Sequence, residues 1–122
     1  MAGLYPGVPY EYTSTANGLI FTAGACPLDA AGTVVSPGDL RAQAERCVDN
    51  LLAALAPHGA TAANLLKMTV YVVANDRSQL TAVWDVVAAR LGRAPSTLLG
   101  VAMLGWPKQL VEIEAIASMP GA

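Results

Sequence analysis

Two amphipathic helical segments, separated by runs rich in β-branched residues, are the feature that most limits the fold of this chain. Asp39 is a candidate N-cap for the first helix, which Pro57 to Gly59 should end, and Asp76 lies near the start of the second. Apolar residues recur at helical spacing, at Leu40, Ala44, Cys47, Val48, Leu51, Leu52 and Leu55 in the first segment and at Leu80, Val83, Trp84, Val87 and Leu91 in the second. Each helix therefore needs an apolar surface to pack against.

Strand-like runs lie before, between and after the two helices. Strands are predicted at Leu19 to Ala23, at Thr33 to Val35, within "NLLKMTVYVVA", at Thr97 to Met103 and at Leu110 to Ala117, the last two on either side of a "GWPKQ" turn. The order is strands, helix, strand, helix and two strands. This order predicts an α+β fold in which both helices cover one face of a sheet. A length of 122 residues predicts one domain, residues 1–122.

The composition suggests what covers the second face of that sheet. Hydrophobic residues make up 54% of the chain and charged residues only 13%, which is apolar for a small monomer. Because both helices lie on one face, we expect the other face to be apolar and bare. Another subunit should cover it.

Charge, cysteine and histidine content disfavour several functional classes. The net charge is −2 and the seven basic residues are scattered, so nucleic acid is not an expected partner. Apolar runs are interrupted well before a membrane-spanning length and the N-terminus lacks a secretory pattern, so we expect a cytoplasmic protein without membrane contact. Cys26 and Cys47 form no CxxC motif and His58 is the single histidine. A disulfide framework, a metal site and a Ser–His triad are therefore not expected.

The last strand-like run, "VEIEAIA", carries two carboxylates two residues apart. Strand side chains alternate, so Glu112 and Glu114 share the face opposite Val111 and Ile113. A buried, unpaired carboxylate is costly, so this face is either wet or lines a cleft that uses an acid. Glu112 is either a sheet-edge carboxylate paired with Lys108 or water, or a general acid/base in a partly dry cleft. For Glu114 we favour a structural or interface role.

Four segments together resemble the Rid family, the reactive-intermediate deaminases also called the YjgF family. They are "VPYEYTSTANGLIFTAGACPLDAAGTVV", "AQAERCVDNLLAAL", "KMTVYVV" and "VEIEAIA", and the resemblance that they carry covers about the whole chain, in order. The resemblance implies a chorismate-mutase-like α+β fold with a mixed β-sheet. It also implies a homotrimer with a small-molecule cleft between each pair of subunits. Members of the family hydrolyse 2-imino acids and their enamine tautomers to 2-keto acids and ammonia there, without metal or cofactor.

The resemblance also assigns roles to individual residues. The family's acidic residue, which orients the attacking water, matches Glu112, and its cleft tyrosine matches Tyr10 in "VPYEY". The family's "SGQ" segment, whose backbone helps to hold the ligand, matches Ala23, Gly24 and Ala25, and Cys26 follows it at the cleft border.

One family residue is missing. The arginine that grips the substrate carboxylate falls on Ser96 in "APSTLLG", and sliding the match by one residue places Thr97 there instead. A hydroxyl cannot replace the two parallel hydrogen bonds of a guanidinium. Arg93 either reaches the cleft or is an exposed loop charge. The chain thus resembles an arginine-less branch of the family, in which efficient hydrolysis of 2-imino acids is not expected.

Three functions follow as hypotheses. The first is a cofactor-free hydrolase of imines or enamines, in which Glu112 positions water and the backbone of Gly24 to Cys26 holds the substrate. The second is a trimer that binds a small metabolite without chemistry. The third, a ribonuclease or translation inhibitor, is least favoured because the chain has little basic character. Cys26 is either a reactive thiolate or a small buried apolar residue, and the lack of a neighbouring histidine or lysine favours the second.

Overall fold

The computed structural model describes residues 3–121 of the chain. Within them lie five strands and two α-helices, in the order β1 (Thr13–Ala16), β2 (Leu19–Thr22), α1 (Leu40–Leu55), β3 (Leu65–Val73), α2 (Arg77–Leu91), β4 (Ser96–Val101) and β5 (Val111–Ser118). Short 3-10 turns, Ala56–His58 and Ala62–Asn64, connect α1 to β3. The predicted α+β class is confirmed.

Both helices begin where their polar caps predict. The Asp39 side chain accepts a hydrogen bond from the Ala42 N–H, and Asp76 forms a capping box with Gln79 at the start of α2. After α1, the chain continues through a 3-10 turn that ends at Gly59 with a φ of 73°. The two N-cap side chains accept hydrogen bonds from backbone N–H groups that have no partner within the first turn of each helix.

The five strands form one mixed sheet in the order β1-β2-β5-β3-β4. β4 pairs with β3 in parallel, while β5 pairs antiparallel with both β3 and β2. The two last strands, which flank the "GWPKQ" turn, are therefore not neighbours, because β3 lies between them. The parallel pairing of β3 and β4 requires the crossover that α2 supplies.

At the N-terminal end the structure differs from the predicted strands in two places. β1 is a strand that was not predicted, although Asn17 and Gly18 follow it with φ values of 53° and 77°, the positive values that a type I′ hairpin turn requires at both positions. The predicted strand at Thr33 to Val35 is reduced to an isolated bridge between Leu28 and Val34. The extended segment ends after Val35, because Ser36 has a φ of 45° and bends the chain into the turn at Pro37 and Gly38.

Alternation along β5 locates the core. Val111, Ile113, Ala115 and Ala117 are at most 5% exposed, whereas the residues between them are partly exposed. The buried set packs with the apolar sides of α1 and α2, which also contact each other. Both helices thus cover the same face of the sheet, as predicted.

The opposite face, called the open face below, is not the apolar surface that the sequence predicted. Cross-strand register places these residues on it: Phe21, Lys67, Thr69, Tyr71, Thr97, Leu99, Glu112, Glu114 and Ile116. Phe21 and Leu99 are about 40% exposed, at 39% and 41%. Polar and charged side chains alternate with the buried residues of β3 and β5, so the open face is mixed in character. Within residues 3–121, no helix is long and apolar enough to cross a bilayer.

Candidate functional site

A solvent-open cavity of about 300 Å³ lies at one end of the open face. It is lined by Tyr10, Ala23, Gly24, Cys26, Gly105, Trp106 and Glu112. Five of these residues are among those that the sequence placed at the site. The other two, Gly105 and Trp106, come from the loop between β4 and β5.

The backbone after β2 brings the predicted ligand-holding segment against β5. The Ala25 N–H donates to the Ile113 carbonyl at 2.6 Å, and the Ile113 N–H donates to the Ala25 carbonyl at 3.1 Å. This bridge directs Ala25 into the core, where it is 6% exposed, and leaves Gly24 beside Glu112. A Cβ atom at Gly24 would overlap Oε2 of the Glu112 carboxylate, so any larger residue at this position would displace the Glu112 side chain.

The Glu112 carboxylate is held by neutral donors. Gln109 Nε2 donates to Oε1 at 3.1 Å, and Cys26 Sγ donates to the same oxygen at 3.3 Å. Within the described residues Glu112 forms no salt bridge. The alternative in which Lys108 pairs with Glu112 is therefore wrong for the isolated chain.

The Cys26 thiol is a donor in this arrangement. Cys26 is 8% exposed, and burial, followed by the charge of Glu112, raises the pKa of its thiol to about 12. The thiol therefore stays protonated near neutral pH, which disfavours a nucleophilic thiolate. Tyr10 is 42% exposed at the cavity mouth, and partial burial, with Cys26 nearby, raises the pKa of its hydroxyl to about 12.

Two amide side chains at the site were missed by the sequence reasoning. Gln109 is 3% exposed and contacts Glu112 directly. Asn50, on α1 and 5% exposed, donates to the carbonyls of Cys26 and Leu28 at 2.8 Å and 2.9 Å and so holds the loop that carries Cys26. Asn50 lies three residues after Cys47 and four before Ala54, at the edge of the buried face of α1, and this spacing was the available signal. Gln109 had none beyond its place before a buried strand.

Glu114 lies in a different environment from Glu112. Its carboxylate accepts a hydrogen bond from the Tyr71 hydroxyl, and this bond is the main reason that the pKa of Tyr71 is raised to about 12. Glu114 lines a separate cavity of about 240 Å³ on the open face, next to Phe21 and Lys67. The two carboxylates of "VEIEAIA" therefore lie in different cavities and have different hydrogen-bond partners.

Ser96 is not brought to Glu112 within one chain. It begins β4, its Oγ donates to the Ala94 carbonyl at 2.7 Å, and it lines another cavity together with Trp84 and Arg93. A joint site of Ser96 and Glu112 would need a second copy of the chain. Among residues 3–121, no three His, Cys, Asp or Glu side chains converge as metal ligands would.

Comparisons with known proteins agree on one family. The family model described as Endoribonuclease L-PSP matches residues 2–119. A RutC family protein of Synechocystis sp. is 33% identical over 118 residues, which is 94% of this chain and 89% of that protein. Rv2704 of Mycobacterium tuberculosis, a member of the YjgF/YER057c/UK114 family, is 30% identical with a TM-score of 0.75, covering 91% of this chain and 87% of that one. The Rid family protein YyfA of Yersinia pestis is 26% identical with a TM-score of 0.81, covering 90% and 87%.

Proposed function

Because this chain belongs to the Endoribonuclease L-PSP family, which includes the YjgF, RutC and Rid proteins, we propose that it is a cofactor-free hydrolase of small imine or enamine intermediates. The observation that carries this proposal is the Glu112 carboxylate in the wall of a small cavity, held by Gln109 and Cys26. The reaction takes place in clefts between the subunits of a homotrimer. In this proposal the protein acts in the cytoplasm.

Glu112 serves as the general base and acid of a hydrolysis. The substrate reacts as the protonated imine: Glu112 takes a proton from water while the water oxygen bonds to the C=N carbon, and the π electrons neutralise the nitrogen. Glu112 then gives that proton to the nitrogen of the carbinolamine, ammonia leaves with the electrons of the C–N bond, and the carboxylate takes the hydroxyl proton as the C=O bond forms. Glu112 passes this last proton to the released ammonia, so the balance is protonated imine plus water to carbonyl compound plus ammonium. Such proton transfers contribute about 10²–10⁴-fold to a rate.

The cavity lining favours a neutral or cationic ligand. Its side chains are aromatic, small or carboxylic, and none of the lining residues of the described chain is basic. A protonated imine is attracted to the Glu112 carboxylate, whereas a substrate carboxylate is repelled by it. Together with the hydroxyl at position 96, this supports substrates without a carboxylate.

The trimer is supported by the open face and by the open cavity. Phe21 and Leu99 are exposed apolar residues on the open face, beside the partly exposed Tyr71–Glu114 pair. A second chain packed there would remove them from water and close the cavity from outside. Exclusion of water strengthens the interaction of Glu112 with a developing charge.

The test is ammonia release from freshly generated imines of several amines and amino acids. Glu112→Gln is nearly isosteric and removes only the titratable group, so we expect the rate to fall about 10²–10⁴-fold. Glu114→Gln is the matched control on the same strand and face, and it should retain activity while light scattering shows the same assembly. An active Glu112→Gln protein would contradict the proposal.

A binding protein without chemistry is the second candidate, because the same cavity can hold a ligand when no reaction follows. Ligand binding by the wild type without ammonia release from any imine would identify it. Ribonuclease activity, named in the family description, is least supported because the lining residues include no basic group and the net charge is −2. RNA cleavage that Glu112→Gln abolishes would establish it.

A further inference from the structure

We propose that Gln109 and Cys26 are positioning residues that hold one oxygen of Glu112, Oε1, and leave the other, Oε2, as the oxygen that handles the proton of water. This inference rests on the proposed hydrolase function. Neither residue touches the reacting atoms in this scheme, since both act through the Glu112 carboxylate.

The two oxygens of Glu112 have different surroundings. Gln109 Nε2 and Cys26 Sγ both donate to Oε1, at 3.1 Å and 3.3 Å. Oε2 is the atom closest to the position of a Cβ at Gly24, so it lies on the side of the ligand-holding segment. Among the described residues Oε2 has no hydrogen-bond donor. It is therefore free to accept a hydrogen bond from a water in the cavity.

The Gln109 side chain also connects Glu112 to the cavity wall. Its Nε2 donates to the Val111 carbonyl at 3.0 Å as well as to Glu112, and its Oε1 accepts from the Trp106 N–H at 3.1 Å. Its backbone N–H donates to the Trp106 carbonyl at 3.1 Å. With both amide atoms occupied and 3% exposure, the side chain has one orientation available. Trp106 and the carboxylate are consequently held in fixed relation.

The Cys26 thiol completes the arrangement from the other side. Its single proton is shared between Oε1 of Glu112 and the Gly24 carbonyl, whose oxygen lies 3.5 Å from Sγ, and the raised pKa of the thiol keeps that proton on sulfur. Donors from two distant segments therefore converge on Oε1. A carboxylate fixed in this way is preorganised, and a misplacement of about 1 Å at such a group costs on the order of 10²-fold in rate.

The chain offers a matched control for Gln109. Gln43 on α1 is 0% exposed and bonds to both residues that flank Gln109, because its Nε2 donates to the Lys108 carbonyl at 3.1 Å and its Oε1 accepts from the Leu110 N–H at 2.7 Å. It does not contact Glu112. Loss of either glutamine loosens the same loop, but only loss of Gln109 releases the carboxylate.

The experiment compares Gln109→Met with Gln43→Met in ammonia release, with folding checked by circular dichroism and assembly by light scattering. Methionine keeps the length of the side chain and removes its hydrogen bonds. We expect Gln109→Met to lower kcat about ten- to a hundredfold with little change in KM, since the lost contact orients a group rather than binding substrate. Gln43→Met should keep kcat within about twofold of the wild type. Equal losses in the two variants would overturn the inference and leave the proposed function standing.

A second pair of variants tests the thiol. Cys26→Ala removes the donor, whereas Cys26→Ser replaces it with a hydroxyl that can donate to Oε1. We expect Cys26→Ala to lower kcat and Cys26→Ser to retain most of it. A fully active Cys26→Ala protein would remove Cys26 from the proposal.

A readout that does not depend on activity separates this inference from the proposed function. In crystal structures of Gln109→Met and of Gln109→Met with Cys26→Ala, the Glu112 carboxylate should leave its position beside Gly24 or occupy more than one. An unmoved carboxylate in the double variant would overturn the positioning role. If the wild type releases no ammonia from any imine, the proposed function fails, and these structures still decide whether the two side chains hold Glu112.

Discussion

At the residue scale, Cys26 shows how a neighbour changes the chemistry of a side chain. Its environment is apolar on one side and contains the Glu112 carboxylate on the other, and both raise the pKa of the thiol. With a pKa of about 12, only about one thiol in ten thousand is ionised at pH 8. The same cysteine beside a cation would be a nucleophile. The structure makes it a donor.

This leads to a prediction about pH-dependent alkylation. In a Cys47→Ala background, iodoacetamide should react with Cys26 very slowly at pH 8 and faster as the pH rises toward 12. Glu112→Gln should speed the reaction at every pH in this range, because loss of the negative charge lowers the pKa of Cys26 and increases the thiolate fraction. The urea-unfolded protein provides the rate for an accessible thiol. A native rate equal to that of the unfolded protein at pH 8 would contradict this account of the site.

At the element scale, the β1–β2 hairpin positions the start of the site. The second strand of the hairpin, β2, leads directly into the segment from Ala23 to Cys26. The Ala23 N–H donates to the Tyr12 carbonyl at 2.9 Å, which ties this segment to the residue before β1. The turn depends on two consecutive residues with positive φ, Asn17 and Gly18. Asparagine and glycine adopt this conformation with the least strain.

We expect Gly18→Val to lower the free energy of unfolding by about 1–2 kcal/mol, because a β-branched side chain is strained at positive φ. Asn17→Gly at the preceding position is the control and should change stability little, since relief of strain offsets the greater freedom of the unfolded chain. Urea denaturation at one protein concentration measures both. Equal stability of Gly18→Val and wild type would show that the turn does not require glycine.

At the scale of the whole molecule, the described part of one chain forms only one side of the proposed site. The cavity at Glu112 opens to solvent, and the predicted counterpart Ser96 lines another cavity with Arg93. A cleft that contained both would have to be built from two chains. That Ser96 of one chain faces Glu112 of another stays a prediction, as does the alternative in which Arg93 reaches the cleft. Both depend on the proposed trimer.

We expect the protein to sediment at about three times its chain mass of 12.5 kDa at micromolar concentration. Leu99→Glu should dissociate the trimer. Leu99 is an apolar residue of the open face, 41% exposed in the single chain, and the substitution replaces it with a charged one that the interface would have to bury. Thr81→Glu, at an exposed position of α2, is the control and should leave the trimer intact. A stable wild-type monomer would contradict both the assembly and the intersubunit site.

Much of this protein was determined by sequence signals that act over a few residues. Asp39 and Asp76 cap the helices that follow them, and the alternation of "VEIEAIA" buries Val111 and Ile113 while it turns Glu112 to the open face. The pair Asn17–Gly18 is an equally local signal, because this dipeptide is typical of a two-residue hairpin turn. Such features follow from local geometry, because caps, turns and periodicity involve neighbours along the chain.

Only the tertiary structure decided the surroundings of Glu112. Its contact with Cys26 joins residues 86 positions apart, and the order of β3, β4 and β5 follows from pairing at long range. The "GWPKQ" segment does not show that Gln109 turns inward to the carboxylate or that Lys108 does not. The hydrogen-bond partners of a partly buried acid are selected by the packing of the whole chain around it, since every donor near it must be satisfied at once. The sequence therefore determined which face carries the acid, and the packing of distant segments decided what holds it.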